Sequence, residues 1–423
     1  MKVLVVGNGG REHALVRKLA QSPEADRIFC APGNAGTQEI AENVSIPAND
    51  LPKLTRFAKE NGIDLTVIGP DDPLAAGIVD LFEAEGLRVF GPNKKAARLE
   101  ASKIFAKELM RAEKIPTAQA RTFSSSAEAL NYCDEVALPV VIKADGLALG
   151  KGVVVAHDRA GARQAVHSMM EERAFGDAGR RIIMEECLCG GECSVHALVS
   201  GKSFRMLATA RDHKRSRDGD EGPNTGGMGA VSPADNWNAE RESNFNSSIM
   251  QPLLDGLTRN GTMFHGLLFP GLMITDDGLR VLEFNCRFGD PETQAILPRM
   301  KSDLLPLLVA TIESGLENVA IEFDPRIAVT VILASGGYPG KYETGKPIEG
   351  LENAARLPEV QIFHAGTKRQ DGTTVTSGGR VLAITALGDS VPQARQRAYA
   401  AIDKIHFEGC HFRRDIALRP AHT

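Results

Sequence analysis

The first 92 residues alternate short apolar runs with segments whose apolar residues recur at helical spacing, and this rhythm constrains the fold more than any other feature. Val3–Val6 is an apolar run ending at Gly7, and Glu12–Ala20 carries apolar residues at helical spacing. Arg27–Ala31, Leu65–Ile68 and Arg88–Phe90 are further strand-like runs. Apolar strands separated by helical patterns make βαβ units, whose strands pair in parallel. Gly91-Pro92-Asn93 is a turn that can close this unit.

The rhythm then changes. Residues 93–122 read as helical, with Lys94–Ala112 rich in Ala, Leu, Lys and Glu. Val140–Lys143 and Val153–Ala156 predict a hairpin joined by a glycine loop, Asp145–Gly152. Strands follow at Arg181–Glu185 and Glu192–Leu198. Strands and polar loops mix from 199 to 324, among them the glycine-rich stretch Asp218–Gly229. From about 326 strands at Ala328–Ala334, Gln361–Ala365 and Arg380–Ala386, with a helix from Pro392 to Ile405, read as a separate α+β segment. No internal repeat or low-complexity tract interrupts the chain.

Composition narrows the function classes. With 423 residues and 43% hydrophobic content the chain forms two to four ordinary globular domains. A formal net charge of −5 argues against a nucleic-acid binder working through bulk positive charge. Seven scattered cysteines, an odd number, do not form a disulfide framework and fit reduced thiols. The N-terminal apolar run is too short for a secretory signal, and no stretch reaches the ~20 apolar residues of a membrane span. The expectation is a soluble, cytoplasmic protein.

Three motifs carry chemistry. Gly7-Asn8-Gly9-Gly10-Arg11-Glu12-His13 lies between a strand and a helix, where backbone N–H groups can meet an anion at the helix N-terminus. It is not the dinucleotide fingerprint, because Glu12 stands at the third glycine position and no acidic residue ends the second strand. Lys143, followed by Gly146, Gly150, Lys151 and Gly152, suits a flap over a polyphosphate, although a strand and not a helix follows, which excludes a Walker A loop. Glu283, Asn285 and Arg287 alternate along a strand and share one face. A carboxylate beside a carboxamide offers hard oxygen ligands for Mg²⁺, and an arginine next to them can hold an anion.

Two further clusters read differently. Cys187, Cys189, Cys193 and His196 do not have zinc spacing, and Cys193 and His196 fall on opposite faces of a strand, so half-buried thiols are the better reading. Asp212-His213-Lys214-Arg215 and Asn224-Thr225-Gly226-Gly227 could clamp a phosphorylated sugar or a carboxylate, or form a solvated basic run.

Read in order, VLVVGNGGREHAL, APGNAG, IGPDDPL, VIKADGLALGKGV, PNTGGMGA, EFNCRFGDPETQ, HAGT and SGGRVL resemble the phosphoribosylamine–glycine ligases (glycinamide ribonucleotide synthetases), ATP-grasp enzymes of purine biosynthesis, over essentially the whole chain. The resemblance implies an α/β and α+β multidomain protein: an N-terminal parallel α/β domain over 1–98, an ATP-grasp body over 99–325 with a lid lobe at about 123–190, and a C-terminal α+β domain over 326–423. It implies Lys103 and Lys143 as phosphate-binding lysines under a flap carrying Gly150, Lys151 and Gly152. Glu185 and Glu186 fall at the adenine hinge, and Glu192 at the ATP ribose. Glu283 and Asn285 match ligands of Mg²⁺ or Mn²⁺. Gly9, Gly10, Asn34 and Asp71 fall in loops expected to meet phosphoribosylamine. Asp212, Lys214, Asn224, Thr225, Arg287, Gly289 and Asp290 fall where the acceptor substrates meet the γ-phosphate, with Arg287, Lys143 and Asp290 as the catalytic set. Asp71, Leu149 and the cysteines at 187, 189 and 193 depart from the family pattern.

The implied reaction uses ATP to phosphorylate the glycine carboxylate, after which the amine of phosphoribosylamine attacks the acyl phosphate. No side-chain nucleophile is needed. The expected partners are small molecules only, with no nucleic acid and no membrane, on a monomer or weak homo-oligomer. The rival expectations are another ATP-grasp carboxylate–amine ligase or carboxylase with a different acceptor, and a nucleotide-binding regulator without catalysis. His364 and Gly378-Gly379 are read as turns.

Overall fold

In the computed structural model, which describes residues 1–148 and 152–418, the N-terminal rhythm becomes a five-stranded parallel sheet. Its strands are β1 (Lys2–Gly7), β2 (Arg27–Pro32), β3 (Glu42–Asn43), β4 (Leu65–Ile68) and β5 (Val89–Phe90), in the order β3-β2-β1-β4-β5. The residues of β1 from Val3 to Val6 are fully buried, as strands covered on both faces must be. The strand order reverses at β1, so the crevice beyond the ends of β1 and β4 is where such a sheet binds ligands. The Gly7–Gly10 turn and the Gly69–Asp71 turn both open there.

A second, antiparallel sheet is formed by β6 (Ala120–Phe123), β7 (Val140–Ala144), β8 (Val153–Ala156) and β9 (Ile182–Glu186), ordered β6-β9-β7-β8. The β7–β8 hairpin expected from the glycine loop is present, with Lys143 opposite Val153. This lobe has a core of its own, running from Phe123 to Met184 without a residue from outside it.

The third sheet has eight strands. They are β10 (Gly191–Ser200), β11 (Ser203–Asp212), β14 (Gly229–Ser232), β15 (His265–Thr275), β16 (Gly278–Asn285), β17 (Ile327–Ala334), β18 (Val360–His364) and β21 (Arg380–Gly388). Two small ribbons, β12 (Arg215–Arg217) with β13 (Glu221–Asn224) and β19 (Thr367–Gln370) with β20 (Thr373–Thr376), stand apart. The eight run in the order β16-β15-β10-β11-β14-β17-β21-β18, so the sheet continues without interruption across residue 326 through the β14–β17 pairing.

Two local readings change. The helical segment expected over 93–122 is two helices, Lys94–Ala101 and Lys103–Ala112, and its last residues instead enter strand β6. Ser102 breaks it by taking an extended conformation and accepting from the Phe105 N–H as N-cap, while its hydroxyl donates to Asp145 at 2.9 Å. The stretch 218–229, expected as loop, contributes β13 and the start of β14. The C-terminal helix spans Val391–Ile402, capped by Ser390 with proline in its first turn. Among the described residues no helix is long and apolar enough to cross a membrane.

Candidate active site

The three sheets enclose a cavity of about 1260 Å³, lined by residues from every part of the chain. β7 places Lys143 on its floor. The Lys143 ammonium donates to the Leu282 carbonyl at 3.0 Å and pairs with Glu185 at 2.8 Å. Glu185 also pairs with Lys107 at 3.1 Å, so both its oxygens face lysines. Burial would raise the Glu185 carboxyl, but Lys143 and Lys107 hold it below the ordinary carboxylate range. Glu186 lines the cavity, with its side chain accepting from the Gln119 N–H at 2.8 Å. Lys103, at the start of its helix, donates to the Gly146 carbonyl of the flap at 2.9 Å. Gly152 lines the cavity, whereas Gly150, Lys151 and Leu149 lie outside the described residues.

The far end of β16 carries the central group. Glu283 and Asn285 line the cavity at the end of β16, and Arg287 lines it from the bend just beyond the strand, which stops at Asn285. The Glu283 carboxylate makes no hydrogen bond or ion pair among the described residues. Burial would raise it, but Lys214, Lys143, Lys103 and Arg287 surround it and hold it below the usual range. Asn285 turns its carboxamide oxygen to the Arg287 guanidinium at 3.2 Å. The same Arg287 Nη2 pairs with Glu100 at 2.9 Å, and the guanidinium lies over the Phe269 ring at 5.4 Å. Burial pushes the Glu100 carboxyl up to about 7, Arg287 pulls it back, and Asp71 and Glu283 add to the rise.

No group of three or more His, Cys, Asp or Glu among the described residues could by itself hold a metal ion. The donors that fit one are Glu283 and Asn285. An ionised carboxylate without a protein partner beside a carboxamide oxygen is an incomplete oxygen set of the kind Mg²⁺ and Mn²⁺ complete with phosphates and water.

Another wall of the cavity is built from β10, β11 and two loops. Glu192 and Lys214 pair at 2.6 Å, with Asp212 3.9 Å from the same ammonium. Burial raises the Asp212 carboxyl; Lys214 opposes this, and Glu292 adds to it. The Thr225 N–H and hydroxyl both donate to the Lys214 carbonyl at 2.8 Å, which keeps Asn224 and Thr225 on the wall. Asp290 accepts from Gln294 at 2.7 Å and is held below the ordinary range against burial by Arg380 and Arg11.

The N-terminal loop differs from the anion cradle expected of it. The Gly9 N–H donates to the Glu12 carboxylate at 2.6 Å, and Arg11 pairs with the same side chain at 2.5 Å. Glu12 therefore caps its own helix and takes the donor that an anion would use. Gly9 and Gly10 stand behind Asp290 and Gln294. Asn34 is buried, with its carboxamide donating to the carbonyls of Asn8 and His364 and accepting from Gly36 and Thr37, so it braces loops. Asp71 lines the cavity. Gly289 packs against Glu292 and His196.

The sulfur cluster makes no metal site: Cys193 is in the core, and His196 stacks on Phe269 at 4.4 Å on the other face. Residues that sequence reasoning did not single out are Glu100, Lys107, Glu292, Arg380 and Tyr338, all on the cavity wall. Their signal was faint, because each reaches the site from a segment whose local pattern is an ordinary helix, loop or strand. His364, read as a turn, ends β18 and receives Asn34.

A parallel crevice, a hairpin lobe with a separate core and a large antiparallel sheet around one lysine-lined cavity define the ATP-grasp class. A biotin carboxylase domain of Hydrogenobacter thermophilus 2-oxoglutarate carboxylase shares this fold at TM-score 0.75 and 15% identity, with 97% of this chain and 91% of that one covered. Models of the phosphoribosylglycinamide synthetase N domain, ATP-grasp (A) domain and C domain match residues 1–100, 101–293 and 328–419. The chain belongs to the phosphoribosylglycinamide synthetase family. It is 50% identical over 426 aligned positions to the phosphoribosylamine–glycine ligase of Escherichia coli K12, covering 99% of this chain and 98% of that one. It is 49% identical over 417 to that of Caldanaerobacter subterraneus, covering 99% of each. A crystal structure of phosphoribosylamine–glycine ligase from Thermotoga maritima matches at TM-score 0.83 and 35% identity, with 99% of this chain and all of that one covered.

Proposed function

We propose that the chain is a phosphoribosylamine–glycine ligase, joining glycine to 5-phosphoribosylamine with ATP to give glycinamide ribonucleotide, ADP and phosphate. The observation that carries this reading onto the site is the Glu283 carboxylate, held ionised by four cationic side chains and without a hydrogen-bond or ion-pair partner among the described residues, beside Asn285. The residues divide as 1–98 for the amine substrate, 99–325 for ATP with a lid at about 123–190, and 326–423 as a C-terminal part.

Lys103 and Lys143 hold the triphosphate beneath the flap, and the segment from Glu185 to Glu192 receives the nucleoside. Lys143 leaves its resting pair with Glu185 to follow the phosphates. Glu283 and Asn285 would hold Mg²⁺ or Mn²⁺, which would supply charge neutralisation at the phosphate oxygens. Arg287, fixed by Glu100, stabilises charge on the phosphoryl group passing to the glycine carboxylate. Thr225, Asn224, Asp212, Lys214 and Asp290 position the acid and the amine, and Asp71 meets the amine substrate from the N-terminal crevice. The amine then attacks the acyl carbon and inorganic phosphate leaves. Catalysis is positioning and charge neutralisation, with no covalent enzyme intermediate.

ADP release measured against a panel of acids and amines tests this reading. Turnover that needs both glycine and phosphoribosylamine supports it; equal turnover with another acid–amine pair replaces it with a different ATP-grasp ligase.

A further inference from the structure

Arg380 stands on β21, in the C-terminal part of the chain, yet its guanidinium lines the cavity. Its Nη1 donates to the Gly226 carbonyl at 2.7 Å and to the Asp290 carbonyl at 2.9 Å, and lies 3.3 Å from the Asp290 carboxylate. The Gly226 N–H donates to the Tyr338 hydroxyl at 3.1 Å. Both polar backbone groups of Gly226 are thus held by side chains from beyond residue 326.

The loop at 225–228 lies outside any helix or strand. Its own bonds run through Thr225 to Lys214, from the Gly227 N–H back to the Thr225 hydroxyl, and through Met228 to His213 and Ile332. Gly227 has φ +109° and presses against Pro291, so its backbone leaves no room for a side chain. Beside these anchors and the Gly227–Pro291 contact, the Arg380 guanidinium ties the loop to Asp290 from one nitrogen. These are hydrogen bonds from a cation, the strong kind. Asp290 in turn lies against Gly9 of the N-terminal turn, so the guanidinium sits where N-terminal, central and C-terminal segments meet.

We propose that Arg380, assisted by Tyr338, is a positioning residue for the acceptor-substrate end of the cavity, locking the Thr225 loop to Asp290. The inference rests on the ligase reading above. It gives the C-terminal segment a share in substrate binding apart from ATP: the resting partners of the phosphate-binding lysines, Glu185, Gly146 and Leu282, all precede residue 326.

The test is steady-state kinetics of the full-length chain as wild type, Arg380→Met, Arg380→Lys and Tyr338→Phe, each with a melting curve. Wild-type turnover that needs glycine and phosphoribosylamine secures the ligase reading first; its failure would be that reading's failure. The proposal expects Arg380→Met to raise KM for one or both acceptor substrates about tenfold or more while KM for ATP stays within about twofold. Arg380→Lys restores part of the loss, because an ammonium can still bridge two carbonyls. Tyr338→Phe, the mildest change, moves the same KM by about threefold in the same direction. Acceptor KM values unchanged in Tyr338→Phe and Arg380→Lys, or a rise in ATP KM equal to that for the acceptors, overturn the proposal. If Arg380→Met does not fold, the other two variants decide.

Discussion

At the scale of single residues, the account turns on charge held in one place. Glu283 faces four cations without touching any of them, and the physical consequence is a carboxylate kept ionised for a ligand. Glu283→Gln preserves volume and should reduce kcat by about 10²–10³-fold with little change in melting temperature; near-normal kcat would remove it from the metal site. Arg287 differs because its Nη2 joins Glu100 to Asn285. Arg287→Met removes the cationic partner of the buried Glu100 and leaves it the Cys286 N–H at 2.7 Å, so it should lower kcat more than ATP affinity and also lower the melting temperature, by roughly 3 kcal/mol of stability if Glu100 stays ionised. A variant as stable and as active as wild type would contradict that bridge. Glu283 and Asn285 were legible because a two-residue period puts both on one face of β16, whereas Arg287, expected on the same strand, reaches the cavity from beyond its end. Glu100 and Lys107 were not, since a helix surface rich in Lys and Glu gives no sign of which charge turns inward.

At the scale of elements, hairpins and parallel strands were legible from apolar runs bounded by glycines, while the break at Ser102 was not. A helix-forming composition runs through it, and only the distant Asp145 carboxylate, meeting the Ser102 hydroxyl and the Ile104 N–H, makes the interruption favourable. The passage from β9 to β10, which joins the lid lobe to the eight-stranded sheet, depends on Gly190 at φ +147°, where a methyl group would collide with the Ile274 carbonyl oxygen. Gly190→Ala should therefore cost about 1–3 kcal/mol, seen as a lower melting temperature. An unchanged melting curve would mean that the junction relaxes freely.

At the scale of the whole molecule, the continuity of the large sheet through β14 and β17 could not be read from the sequence, because strand pairing across a hundred residues leaves no local pattern. It brings histidines into the interior at the junctions. Burial lowers His13 and His196 to about 3 and His213 and His364 to about 4, so all four are neutral in the folded chain. In the unfolded chain they protonate near pH ~6.5, so the unfolded state binds more protons as pH falls and stability declines from there toward the folded values. Between about pH 7.5 and about pH 5.5 each contributes a loss of roughly 1 kcal/mol, and the melting temperature should fall steadily; a flat profile would contradict their neutral burial. The central claim is tested most directly by ADP formation with glycine and phosphoribosylamine, with and without a divalent cation. Release that needs both substrates and stops on chelation is the predicted result. Release that continues undiminished after chelation, or without either substrate, would contradict the account.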